Sequence, residues 1–420
     1  MPLPATVPRN PTRGSLVRST TLFLFLTVMI DAMGIGLIMP VMPDLIREVQ
    51  GGGLADAALW GGGLATAFAI AQFLFSPIVG ALSDQSGRKP VLLVTQGALV
   101  LVYLLLAAAQ SLWMLLLGRI LAGIASATQS TANAAMADLS PPEKKTANFG
   151  LLGAAFGAGF VFGPMLGGLL AGWGTRAPFY GAAVLVAMNF ALGAMVMRES
   201  VAKENRRAFD WRRAHAFGAL RQLGKLPGLL PLVAVYFIYS VAIYVYPAIW
   251  AFFTQARFGW SPGMVGVSLG VFGFSMALVQ GVLIRPVLRF AGERMTVVLG
   301  HLFDCVALSV LSFTGSGMLA LMFTPVSALG ALVSPALTGI MSKMVADDAQ
   351  GELQGVLTAA HALAVMISPL VMTSAFALGM NGGLGVTMPG LPFLVALGLM
   401  ILGLCAFLAA ARRSRAAAAA

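Results

Sequence analysis

The sequence predicts an all-α polytopic membrane protein: twelve transmembrane helices in two pseudo-symmetric six-helix bundles. Of its 420 residues, 59% are apolar and only 10% charged, and the mean hydropathy is +0.89. A soluble domain carries about 25% charged residues. Twelve apolar runs approach the roughly 20 residues that a helix needs to cross a bilayer. The longest polar interruption, residues 198–228, divides six of these runs from six.

In chain order the runs are 20–41, 59–81, 90–110, 112–138, 147–171, 177–197, 229–254, 262–284, 295–314, 317–344, 354–378 and 390–411. The first follows Arg9, Arg13 and Arg18, lacks a small-residue cleavage site and continues through "GIGLIMPVMP". It reads as a retained helix, not a removed signal peptide. The expected organisation is a cytoplasmic N-terminal segment (1–19), an N-terminal bundle (20–197), a cytoplasmic linker (198–228), a C-terminal bundle (229–411) and a cytoplasmic tail (412–420).

With the N-terminus in the cytoplasm, the 26 Lys and Arg sort sharply: Arg47, Arg176 and Arg257 fall outside, Arg119 falls within a span, and 22 fall on the cytoplasmic side. This is the positive-inside bias. It accounts for the net charge of +11 without nucleic acid. Within 198–228 the alternating bases and aromatics fit either a solvated linker or an amphipathic helix on the lipid surface. Cys305 and Cys405 sit inside apolar runs, as packing residues do. His215, His301 and His361 lack metal-ligand spacing and read as incidental, and no metal site is expected.

Acids inside spans mark function, because an Asp at a helix centre costs about 2.5–3.5 kcal/mol to insert. Asp31 lies midway along the first run and Asp304 midway along the ninth. A carboxyl so placed is neutral when shielded and ionised when wetted or beside a cation, which suits a proton carrier. Arg119, in "LLLGRILAG", stays charged and needs an acid, carbonyls or an anionic substrate group nearby. Gln72 and Asn133 either line a central cavity with these groups or tie helices together.

Between the second and third runs stands a charged turn, "GALSDQSGRKPVLL", with Gly80, Asp84, Gly87 and Arg88. Arg88 is expected to pair with Asp138, and Asp84 to receive a base or the positive end of a neighbouring helix, latching the cytoplasmic side. The matching gap in the second half, "IRPVLRFAGERMTVVL", keeps Gly292 and Arg294, as a duplicated architecture would. The fifth run carries Gly159, Gly163, Pro164, Gly167 and Gly168 at helical spacing, suited to a tightly packed hinge.

The charged turn resembles the loop between the second and third helices of major facilitator superfamily transporters. "LLLGRILAG" resembles that superfamily's fourth-helix motif, with Ala122 where Gln is frequent, and the glycine spacing of the fifth run resembles its antiporter motif. More narrowly, "DAMGIGLIMPVMPDL", "GRILAGI", "AFGAGFVFGP", "VSLGVFG" and "DDAQGELQG" are similar to stretches of the bacterial tetracycline/proton antiporters. That family has acids in helices one, three and nine and a His in helix eight. Asp31 and Asp304 match two of these positions, but Val102 and Met276, which cannot ionise, stand at the others.

The resemblance implies proton-coupled efflux of a drug-like small molecule, tetracycline-type or another aromatic or cationic compound, by alternating access. It implies no cofactor besides the proton, no enzymatic activity, and a bacterial inner-membrane location with both termini cytoplasmic. One chain holds both halves, so a monomer suffices. A proton-coupled transporter of a small metabolite is the alternative. A membrane enzyme would need a nucleophile with its base or a metal cluster, and a sensor or scaffold would need a sizeable soluble domain; the sequence offers neither.

Overall fold

The computed structural model describes residues 11–419 except 127, 142–143, 202–203, 205, 212–227, 347–348 and 384. Its regular structure is helical throughout. The first half comprises α1 (Pro11–Ile38), α2 (Met42–Gln50), α3 (Leu54–Ser86), α4 (Arg88–Ala107), α5 (Leu112–Ala125), α6 (Thr128–Leu139), α7 (Lys145–Leu170) and α8 (Ala177–Val196). The second comprises α9 (Leu230–Ile243), α10 (Val245–Phe258), α11 (Pro262–Leu278), α12 (Ile284–Phe313), α13 (Gly317–Ala328), α14 (Val333–Ser342), α15 (Gln350–Met380) and α16 (Leu391–Ala419).

Helical segments long and apolar enough to cross a membrane number 11 among the described residues, against the twelve runs of the sequence. The difference lies in one segment, Pro262–Phe313, of 52 residues. At 1.5 Å per residue it would extend about 78 Å, more than twice a hydrocarbon core of ~30 Å. Gly292, inside α12, interrupts it with φ 74° and ψ 164°, so the chain turns there: α11 and the residues of α12 before Gly292 make one crossing, and the residues of α12 after it make the next. Gly87, between α3 and α4, has φ 104° and ψ 157°. The two glycines thus hold the same non-helical, positive-φ conformation at matching places in the two halves, which only glycine enters readily.

Several crossings are compound. The first continues from α1 through a 3-10 turn, Met39–Val41, into α2; α5 and α6 form the fourth; α9 and α10 the seventh; α13 and α14, joined by the 3-10 turn Leu329–Leu332, the tenth. The first helix begins at Pro11, inside the segment expected to precede it, since Pro is well suited to a first helical turn. At the other end α16 runs to Ala419 and takes up the expected tail. The proposed amphipathic helix of the linker falls largely on 212–227, outside the described residues.

Lipid replaces water as the solvent of the outer helix faces. Val94, Leu101, Val184, Phe274 and Met318 are therefore exposed without being misplaced. The interior is small-residue packing rather than a greasy core alone, because lipid gives apolar side chains little reason to prefer the inside. An even number of crossings puts the start of α1 and the end of α16 on one face, called here the terminal face.

Candidate functional site: a cavity beside Asp31

In the first half Asp31 of α1 lines a small cavity together with Phe68 and Gln72 of α3, Tyr103 of α4, Arg119 of α5 and Gln129 of α6. Three residues singled out in the sequence, Asp31, Gln72 and Arg119, are thus brought together from three crossings. Asn133 is not among the lining residues. Nor is Asp304, which is fully buried in the other half.

A chain of polar side chains holds Asp31. Gln96 donates to its Oδ1 at 3.2 Å and accepts from Asn189 Nδ2 at 3.2 Å, while Asn189 also donates to Thr27 Oγ1 at 3.0 Å. Gln96 is fully buried, and a buried amide must find such partners. Sequence reasoning chose Gln72 and Asn133 and missed Gln96 and Asn189. Their signal was the same, an amide within an apolar run. Asp31 Oδ2 is buried and makes no hydrogen bond of good geometry, with the Thr128 side chain beside the carboxyl.

Arg119 makes no ion pair within 4 Å with any acid among the described residues; its guanidinium carbon lies 4.6 Å from the centre of the Phe68 ring. A cation over an aromatic face is electrostatically favourable, more so away from water. Its Nε remains unpaired. The cavity therefore presents one acid and one base that do not neutralise each other directly. Val102 is 5% exposed and packed in the core, and its neighbour Tyr103 supplies the polar group that faces the cavity. Met276 packs against Val279, Ala328 and Leu332.

At the charged turn Arg88 joins both predicted acids: Nη1 lies 2.6 Å from Asp84 Oδ1 and Nε 3.1 Å from Asp138 Oδ2. Nη1 also donates to Ser83 Oγ at 2.5 Å. Gly80 contributes its carbonyl, which accepts from Ser83 Oγ at 2.7 Å. One residue was not anticipated: Glu199 accepts from the backbone N–H of Arg88 at 2.8 Å and of Lys89 at 3.2 Å, capping α4. A carboxylate there also meets the positive end of the helix. Gly87 makes this possible, because a Cβ on it would collide with the Glu199 carboxylate.

The glycines of the fifth crossing divide between two seams. On one, Cβ atoms at Gly159, Gly163 and Gly167 would strike backbone of Met29, Met33 and Leu37 in α1. The four-residue spacing on both helices lets their backbones touch. On the other seam Gly168 faces Pro262, Gly263 and Gly266 of α11, and the Pro164 carbonyl faces Gly266. One motif thus clamps α7 within its own half and against the other half. Further contacts between the halves are Asp44 with Gln255 (3.2 Å), Gly61 with Phe252, and Thr66 Oγ1 donating to the Met366 carbonyl (2.9 Å). These contacts run from mid-membrane to the face opposite the termini. Toward the terminal face, Gly150, Gly153 and Gly157 of α7 have nothing within 4 Å where a Cβ would stand.

Two groups of crossings that pack against each other, with ionisable groups on a cavity between the membrane faces, define a multi-pass membrane transporter. The chain belongs to the Major Facilitator Superfamily, whose sequence pattern matches residues 24–369, and within it to the tetracycline resistance proteins. It is 38% identical over 351 residues to the tetracycline resistance protein, class C, of Escherichia coli, covering 84% of this chain and 88% of that one. Against the class B protein of Escherichia coli identity is 35% over 356 residues, covering 84% and 88%. The crystal structure of the human organic anion transporter MFSD10 (TETRAN) shares the fold, with a TM-score of 0.69, 24% identity, and coverage of 93% of this chain and 99% of that one. Membership of a transporter superfamily also means that the chain is not an enzyme.

Proposed function

We propose that this chain exports a drug-like small molecule in exchange for protons, by alternating access between the N-terminal bundle 20–197 and the C-terminal bundle 229–411, with 198–228 as the linker. The carrying observation is Asp31, held by Gln96 and matched by no base among the described residues, on a cavity shared with Arg119. The substrate is a tetracycline-type molecule or another aromatic or cationic compound, in keeping with the resistance proteins this chain is similar to. The proton is the only coupling ion and no cofactor takes part. The charge distribution supports cytoplasmic termini in a bacterial inner membrane, and a single chain is the working unit.

The roles follow from chemistry. Asp31 and Asp304 carry protons, and Arg119 holds the anionic group of Asp31 or of a substrate while Gln72 contributes hydrogen bonds. Asn133 is left to helix packing. Gly80, Asp84, Gly87, Arg88 and Asp138 form the latch. It would hold the terminal face shut when the halves rock together there. Gly159, Gly163 and Gly167 keep α7 on α1, and Pro164 and Gly168 form the seam on which the halves turn.

The deciding measurement is drug susceptibility of an efflux-deficient bacterium expressing the chain, with tetracycline among cationic and neutral aromatics and Asp31→Asn as control. Resistance that disappears in the control is the expected result. Val102 and Met276 favour a second reading, transport of a small metabolite, because two ionisable positions of the tetracycline antiporters are missing. Resistance to nothing in the panel, with metabolite counterflow in vesicles, would establish that reading instead.

Asp84→Asn is expected to slow transport severalfold with unchanged insertion, since the amide cannot ion-pair with Arg88. Initial rates in vesicles, normalised to protein, check this. A full rate would remove the latch role.

A further inference from the structure

A second small cavity lies where the two halves meet. Met39, in the 3-10 turn after α1, and Phe160 of α7 form its first-half wall. Tyr246 and Trp250 of α10, Phe272 of α11, and Thr324 and Ser327 of α13 belong to its second-half wall. Tyr246 stacks on Phe272 with ring centres 5.6 Å apart and planes inclined by 27°, and its ring lies 6.1 Å from that of Trp250. The second half thus presents a wall of aromatic rings.

The polar atoms of that wall are already occupied. Tyr246 donates to Ser327 Oγ at 3.0 Å, Ser327 to the Phe323 carbonyl at 3.2 Å, Thr324 to the Ala320 carbonyl at 3.0 Å, and Trp250 Nε1 to Ser268 Oγ at 2.8 Å. Each side-chain donor on the wall is spent within the protein, so none is left for the oxygen or nitrogen of a ligand. The rings remain, and they favour another flat π system, offset-stacked or edge-on. A sugar or another densely polar metabolite would give up its water there without replacement.

This cavity adjoins the one beside Asp31. Ile38 lines that cavity, and Met39, next in the chain, lines this one. On α7, Phe156 lines the first and Phe160, one turn on, lines the second; the two rings stack with centres 6.2 Å apart and planes inclined by 23°. From Asp31 to Met39 the rise along a helix is about 12 Å. Polar groups therefore stand at one end of a short path and aromatic rings at the other.

We propose that the two cavities are the two ends of one substrate site. Asp31, Gln72 and Arg119 take an ionisable or hydrogen-bonding end, and Phe160, Tyr246, Trp250 and Phe272 take a flat aromatic end about 12 Å away. This rests on the export reading above and names its substrate class, an elongated amphipathic molecule with an unsaturated ring system at one end. Phe160 belongs to one half and Phe272 to the other, so the spacing of the halves sets the width of the slot. A ring held there is released when the halves part.

The test is binding, not transport. The full chain in detergent is titrated into tetracycline, ethidium and doxorubicin, each fluorescent and each a flat ring system bearing a polar or charged group, and anisotropy gives the Kd. At least one is expected to bind. For that probe Phe272→Leu and Phe160→Leu, which keep apolar bulk and remove the ring, are each expected to weaken binding about three- to tenfold. Gln72→Ala, at the polar end, is expected to weaken it by about the same factor. Phe274 of α11, 67% exposed, is the control, and Phe274→Leu is expected to leave the Kd unchanged. Thermal unfolding shows which variants fold; Phe160 and Phe272 sit on helices of different halves, so either carries the test should the other fail. No binding of any probe by the wild-type chain, an unchanged Kd in the folded ring variant or in Gln72→Ala, or an equal loss in Phe274→Leu overturns the two-ended site. Export that persists beside an unchanged Kd in the ring variants would leave the export reading standing and remove this one.

Discussion

Asp31→Asn is expected to abolish uphill export while leaving substrate-for-substrate exchange in place. The amide fits the same space and still accepts from Gln96, but it cannot bind and release a proton. One proton moving down 100 mV and one pH unit releases about 2.3 plus 1.4 kcal/mol. For a neutral substrate that sustains a concentration ratio of about 500, and the variant's ratio is expected to fall to about one. Inverted vesicles with an imposed pH gradient give both numbers. A variant that still concentrates its substrate would exclude Asp31 from coupling.

The second large effect is steric. A Cβ on Gly163 would sit 2.7 Å from the Met33 carbonyl oxygen, 2.9 Å from Met33 Cα and 3.1 Å from Gly36 Cα. These are backbone atoms and cannot rotate aside. Gly163→Ala is expected to cost about 1–3 kcal/mol, and Gly163→Leu, which must part α1 from α7, to abolish transport. The same changes at Gly157, six residues earlier on α7, meet open space and are expected to be nearly neutral. Thermal unfolding in detergent beside transport rates would separate the two sites. Equal losses at both would remove the α1 seam as the cause, because helix propensity by itself favours Ala over Gly.

Much of the charged turn was legible because its chemistry is local. Arg88 and Asp84 are four residues apart, and Asp138 lies at the end of an adjacent crossing, so a planar guanidinium had few other partners. Glu199 was not legible, since nothing in "RESVAKE" announces that it caps a helix 111 residues earlier in the chain. The cavity was half legible. Insertion cost flagged Asp31 and Arg119, but an amide in a span reads alike whether it faces a cavity or another helix, so Gln96 and Asn189 passed unnoticed.

The sequence by itself determined the membrane class, the crossings and their even number, the reversal at Gly87 and its echo at Gly292, and the intramembrane acids. Each of these is a local property: apolar length against bilayer thickness, a conformation only glycine adopts readily, a charge priced against hydrocarbon. Tertiary structure alone decided that Asp31, Gln72 and Arg119 share a cavity while Asp304 lies apart from it. It also divided one glycine motif between two seams, one within its own half and one against the other half. Those outcomes depend on which helix faces touch across the molecule, and in lipid, where apolar side chains gain little by facing inward, hydrophobic pattern carries almost no record of that choice.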